Sequence, residues 1–192
     1  MTGKKIAWIV GGVVAAAGLF AALSAESGTV KDYGRVTVTG TALPRFEPDV
    51  TDSAAGMPAP TIQGESVSVV PGGTPQIVLF VAHWCPACQQ EVPALTSWVE
   101  ANGVPVEVEL VTVATSTDPA KGNFPPSIWL EREEFPFPII YDDEDDTAGM
   151  AYGVSAFPFW VVLDSNGNVV QRFSGVLPDQ AISSLFTTAA GL

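Results

Sequence analysis

Cysteine is scarce in this chain. Two residues in 192 exclude a framework of several disulfides of the kind that staples small secreted domains. Histidine is scarcer still: His83 is alone, so no nucleophilic triad built on a remote histidine is available. Positive charge is also short. Eight Lys and Arg stand against 21 Asp and Glu, a net of −13, which argues against nucleic acid and anionic membrane surfaces as partners. No internal repeat is evident, and the length suits one domain of ordinary size behind a non-globular front portion.

That front portion holds an apolar run. Lys4 and Lys5 precede an uncharged stretch from Ile6 to Leu23, and the next charge is Glu26. Eighteen such residues sit at the short end of a membrane-spanning helix and exceed most signal-peptide cores. The basic flank predicts a cytoplasmic N-terminus over residues 1–5, a transmembrane anchor over 6–23, and a single-pass protein whose remainder lies outside the cytoplasm. The alternative is secretion after cleavage at the small-x-small sequence Ala22-Leu23-Ser24. Either route leaves both cysteines where disulfides persist. Residues 24–60 are rich in Gly, Ser, Thr, Pro and Asp and read as an extracytoplasmic linker. Within it, Arg35-Val36-Thr37-Val38-Thr39 alternates like a strand, which would lay part of the segment on the domain.

Residues 61–192 read as an α/β domain of alternating strands and helices. Ser66–Val70 is a short strand, and the almost wholly apolar Gln76–Ala82 suits a central strand covered on both faces. Pro86 suits a first helical turn, and Val92, Leu95, Trp98 and Val99 follow at helical spacing until Asn102-Gly103. Val106–Ala114 reads as the next strand, Thr115–Pro126 as a loop, Ser127–Phe135 as a short helix, and Ile139–Tyr141 as a brief strand. The acidic run Asp142–Asp146 reads as a solvated loop leading into a helix over Thr147–Tyr152. It lacks the alternate spacing and the turn glycine of a calcium loop. Trp160–Asp164 and Val169–Phe173 flank Ser165-Asn166-Gly167-Asn168 as a hairpin, before a terminal helix over Ala181–Ala189.

Both cysteines fall in His83-Trp84-Cys85-Pro86-Ala87-Cys88, directly after the central strand. A strand that delivers a Cys-x-x-Cys to a helix start sets the first sulfur among unpaired N–H groups, which favours the thiolate. The thiolate is the species that attacks disulfides, so the pattern points to thiol–disulfide exchange. Glu91, three residues after Cys88, shares a helix face with it, and its bland alternative is a solvent-facing glutamate. Trp84 adjoins the pair as a packing and contact surface. His83 would lower the first thiol's pKa as a cation and do little as a neutral ring.

Trp-Cys-Pro-x-Cys followed by Phe157-Pro158 and a closing β-β-α half resembles the thioredoxin superfamily, a central mixed sheet flanked by helices. Cys85-Pro86-Ala87-Cys88-Gln89-Gln90-Glu91-Val92-Pro93 is similar to the Cys-x-x-Cys-x-x-Glu-x-Pro pattern of the TlpA/ResA group, membrane-anchored thiol–disulfide oxidoreductases. The resemblance implies that Cys85 is the nucleophile, that Cys88 is the resolving thiol, and that the two close a redox-active disulfide. It implies that Phe157-Pro158 is a cis-proline loop which, with Trp84, contacts an extended substrate chain, and that Pro93 kinks the helix. It also makes Glu91 a proton acceptor, since Leu79 stands where cytoplasmic thioredoxins keep a buried aspartate. The implied partners are protein thiols and disulfides and a membrane electron donor, with no cofactor and no metal.

Other readings of the same residues remain. A thioredoxin-fold metal chaperone would want a wider cysteine spacing and a distant histidine, and His83, Cys85 and Cys88 supply three ligands at most. Haem attachment would need histidine where Gln89 stands. A thiol peroxidase would consume peroxide, and a binding protein that had lost the chemistry would not need the intact pair. The resemblance favours a reductant over an oxidant of exported proteins.

Overall fold

The computed structural model describes residues 33–192, so the expected anchor and the first part of the expected linker lie outside the described residues. Among the described residues, no helix is long and apolar enough to cross a membrane.

A five-stranded mixed sheet forms the centre. Strand β4 (Gln76–Val81) lies in its middle, parallel to β5 (Glu109–Ala114) and antiparallel to β7 (Phe159–Leu163). Beyond β5 runs β6 (Ile139–Tyr141), parallel to it, and β8 (Val169–Ser174) pairs antiparallel with β7. Every residue of β4 is buried because both faces are covered. Ile77, Leu79 and Val81 face one core with Val92 and Leu95 of helix α1 (Pro86–Asn102) and with Ile182, Leu185 and Phe186 of α4 (Asp179–Ala190). Val78 and Phe80 face a second core with Leu43, Phe46, Ile62 and Tyr152. The period-two pleat of β4 thus divides the interior.

The second core exposes a difference from the sequence reading. Residues 33–60, expected within a linker, pack on the domain. Here β1 (Thr37–Thr39) pairs with β2 (Thr61–Gln63), which pairs with the two-residue β3 (Ser68–Val69) in a separate antiparallel sheet. Pro44, Pro48, Pro58 and Pro60 block helix without blocking packing, because Leu43, Phe46 and Ala54 supply the apolar surface. Arg172 of β8 fastens the segment. Its Nε donates to Asp52 Oδ2 at 3.0 Å and its Nη1 to the carbonyls of Pro44 and Tyr152, each at 2.8 Å.

Two further differences are local. Strand β5 begins at Glu109 and not at Val106, because Pro105 opens a turn closed by the Val108 N–H on its carbonyl, leaving Val106 in water. The acidic run is not wholly solvated. Asp142 is buried, and its carboxylate accepts N–H groups of Ala148 and Gly149 at the start of α3 (Thr147–Ala151) and the Thr115 hydroxyl. Burial raises the Asp142 pKa, and the hydrogen bonds from Thr115, Ala148, Gly149 and Asp143 pull it back.

Candidate active site

The end of β4 and the start of α1 position the cysteines. Ala82 to Cys85 form a tight connection closed by the Cys85 N–H on the Ala82 carbonyl at 3.0 Å, and Cys85 becomes the N-cap residue of α1. Pro86 at the first helical position costs no hydrogen bond there. No side chain caps this end of the helix, so its positive pole is left facing the Cys85 side of the site. The helix continues through Pro93 to Asn102 and stops at Gly103, whose φ of 73° suits glycine.

Both thiols are free, and they differ in access. Cys85 is 9% exposed, while Cys88, one turn on, is wholly buried. Burial pushes the Cys88 thiol well above its ordinary range; a backbone hydrogen bond with Ala82 pulls it back, and Cys85 and Glu91 push it further up. Cys85 Sγ lies 3.7 Å from the Phe157 carbonyl, which accepts from it. The Phe157–Pro158 peptide bond is cis, as is Phe124–Pro125.

Glu91 is buried in the same helix, with none of its surface in water. Its Oε2 accepts the Leu177 N–H at 2.7 Å, and Oε1 has no hydrogen-bond partner. Burial raises its pKa to about 7, against the lowering effect of the Leu177 bond. A base with that value is matched to proton transfer near neutral pH.

Trp84 forms the flank. Its Nε1 donates to the Ser116 carbonyl at 2.6 Å, and its ring meets Phe157 edge-on, 6.2 Å between centroids. Phe157 and Ser116 also line a cleft of about 230 Å3 with Arg45, Asp146, Met150 and Val154. Thus Trp84 and Cys85 both meet Phe157, while Pro158, Cys88 and Glu91 are buried. Sequence reasoning missed four partners: the Leu177 N–H on Glu91, the Ser116 carbonyl on Trp84, and the Asp118 N–H and Gly122 carbonyl on His83. All are backbone atoms, so no residue type signals them.

A mixed sheet that delivers a Cys-x-x-Cys to a helix N-terminus opposite a Phe-Pro loop defines a thioredoxin-fold dithiol protein. The Redoxin family model matches residues 39–188, most of the chain, and the chain belongs to that family. It is 27% identical to the methylamine utilization protein MauD of Methylobacillus flagellatus, over 89% of this chain and 82% of that protein. It is also 27% identical to sporulation thiol-disulfide oxidoreductase A of Bacillus subtilis, over 57% of this chain and 64% of that one. The crystal structure of StoA from Bacillus subtilis has the same fold, with a TM-score of 0.54 at 23% identity over 64% of this chain and 89% of its own.

Proposed function

We propose that this chain is an extracytoplasmic thiol–disulfide oxidoreductase that reduces disulfides of exported proteins through Cys85 and Cys88, held at the membrane by residues 6–23. The observation that carries it is the asymmetry of the dithiol. One thiol lies at the mouth beside the Phe157 carbonyl, and the other is buried with a buried carboxylate one turn further along the helix. Relatives named for thiol–disulfide chemistry support the same reaction class.

The exchange runs in two attacks. Cys85, as thiolate, attacks one sulfur of a substrate disulfide held along Trp84 and the Phe157-Pro158 loop; the other substrate sulfur leaves and takes a proton from water. Glu91 then accepts the Cys88 proton, and the Cys88 thiolate attacks Cys85 Sγ. The Cys85–Cys88 disulfide forms as the second substrate sulfur leaves, so two electrons pass from the protein to the substrate. A thiol as strongly buried as Cys88 ionises poorly into water, which is why a base matched to neutral pH is needed inside the site. A membrane electron donor restores the dithiol, and the anchor suits that arrangement.

Cys85→Ser is expected to abolish exchange and Cys88→Ser to accumulate mixed disulfides through Cys85, seen as thiol-sensitive adducts on non-reducing gels. Wild-type exchange by either variant would sink the reading. Equilibration of the pair against dithiothreitol buffers tests the direction: a potential near about −270 mV marks a reductant, and one near about −120 mV an oxidant.

A further inference from the structure

His83 plays no part in that exchange, yet it is built into the site. The imidazole is 1% exposed although Trp84 and Cys85 follow it directly. Both ring nitrogens bond to one loop: Nε2 accepts the Asp118 N–H at 3.1 Å, and Nδ1 donates to the Gly122 carbonyl at 2.8 Å. A backbone N–H only donates and a carbonyl only accepts, so these two bonds define the neutral ring with its proton on Nδ1. The His83 carbonyl accepts from Gln89 Nε2 at 2.9 Å and Asn123 Nδ2 at 3.4 Å, and Phe124 meets the ring edge-on at 6.0 Å.

The loop so gripped joins β5 to helix α2 (Pro126–Arg132) and contains no helix or strand. Ordering such a segment costs backbone entropy, which the side-chain bonds from His83 and Trp84 help to offset. Near its start, the Ser116 carbonyl takes the Trp84 indole, and the Ser116 N–H donates to Asp146 at 2.7 Å. Ser116 also shares the cleft beside Phe157. One end of the loop therefore sets the Trp84 ring, while its middle is set by the residue just before Trp84.

We propose that His83 is a positioning residue: a neutral brace that fixes the 116–122 loop and, through Ser116, the Trp84 indole as a wall of the substrate face. It acts on how a protein disulfide docks and not, by charge, on Cys85. This rests on Trp84 and Phe157 forming that face, so Trp84→Ala accompanies the test. The face serves protein disulfides, whose flanking chain reaches the loop.

The experiment measures reduction of insulin disulfides by the full chain with dithiothreitol as the reductant, together with the Cys85–Cys88 potential and the pH profile of thiolate ultraviolet absorbance. His83→Phe keeps a ring and removes both loop bonds. It is expected to raise KM about ten-fold with kcat within about two-fold, and to leave potential and thiolate profile in place. His83→Gln retains an acceptor for the Asp118 N–H and is expected to raise KM about three-fold, short of the rise in His83→Phe. A folded His83→Phe with wild-type KM, while Trp84→Ala raises KM, overturns the brace alone. A shifted thiolate profile or potential overturns it in favour of a charge effect. Equal loss in kcat and kcat/KM by His83→Phe also overturns it. Unmoved KM in Trp84→Ala overturns the substrate face and the brace with it. Should His83→Phe fail to fold, His83→Gln decides: about a three-fold rise in KM at unmoved potential supports the brace, and a wild-type KM overturns it.

Discussion

Glu91 carries the sharpest single-residue consequence. Its pKa, raised by burial from 4.5 to about 7, means that the folded protein binds a proton more readily than the unfolded chain between those values. The carboxyl's contribution to stability is therefore fully present below about pH 4.5 and is lost as pH rises through about 7. Glu91→Gln keeps an acceptor for the Leu177 N–H and removes the charge. In urea titrations of the reduced protein, the variant is expected to gain on wild type with rising pH, by on the order of 2 to 3 kcal/mol between pH 4 and pH 8. The rate of the Cys88 step is expected to lose its rise near pH 7 in the same variant. A pH-independent stability difference would mean that the carboxylate is relaxed in the folded protein; an unchanged rate profile would remove Glu91 from the proton path. The spacing of Cys88 and Glu91 was readable because helix geometry puts them on one face. That the face is buried depends on the loop carrying Leu177, 86 residues away, which no local pattern reveals.

At the scale of elements, strands and helices that carry their own apolar period were legible, and those defined by a distant partner were not. The wholly apolar β4 and the spaced Val92, Leu95 and Trp98 of α1 announce themselves. The alternation at residues 35–39 suggested a strand, whereas β2 is too short to show a period and exists because β1 and β3 flank it. The N-terminal segment was hardest to place, since the ion pair that fastens it joins Asp52 to Arg172, 120 residues apart. Arg172 has no exposed side-chain surface and makes bonds to Asp52, Pro44 and Tyr152, with its guanidinium 5.7 Å from the Phe46 ring centre. Arg172→Ala leaves the Pro44 and Tyr152 carbonyls without their donor and the Asp52 carboxylate with the Ala54 N–H alone, and is expected to cost about 3 kcal/mol in chemical denaturation. Proteolysis should then cut first between residues 44 and 57. Since the Arg172 hydrogen bonds hold the Asp52 carboxyl below its usual range, wild type is expected to lose this contribution as pH falls through the lowered Asp52 value, while the variant shows no such loss. Loss of under about 1 kcal/mol would mean that the segment is held by its apolar residues alone.

Charge is a property of the whole molecule. Residues 33–192 hold five Lys and Arg against nineteen Asp and Glu. Three of those cations are paired: Arg35 with Glu65, Arg132 with Glu133, and Arg172 with Asp52. Little positive field is left to meet an incoming chain, and the summed potential is negative over distances that salt controls. A disulfide peptide with lysines on both flanks is therefore expected to react faster than one with glutamates in the same places. The gap in kcat/KM should narrow as ionic strength rises from about 0.01 M, where the screening length is about 30 Å, to about 0.15 M, where it is about 8 Å. The steering acts on encounter, so kcat is expected to stay common to both peptides while the difference sits in kcat/KM. A preference for the acidic peptide that fades with salt would instead assign the local field to Arg45, which lines the cleft beside Phe157, over the charge of the domain as a whole.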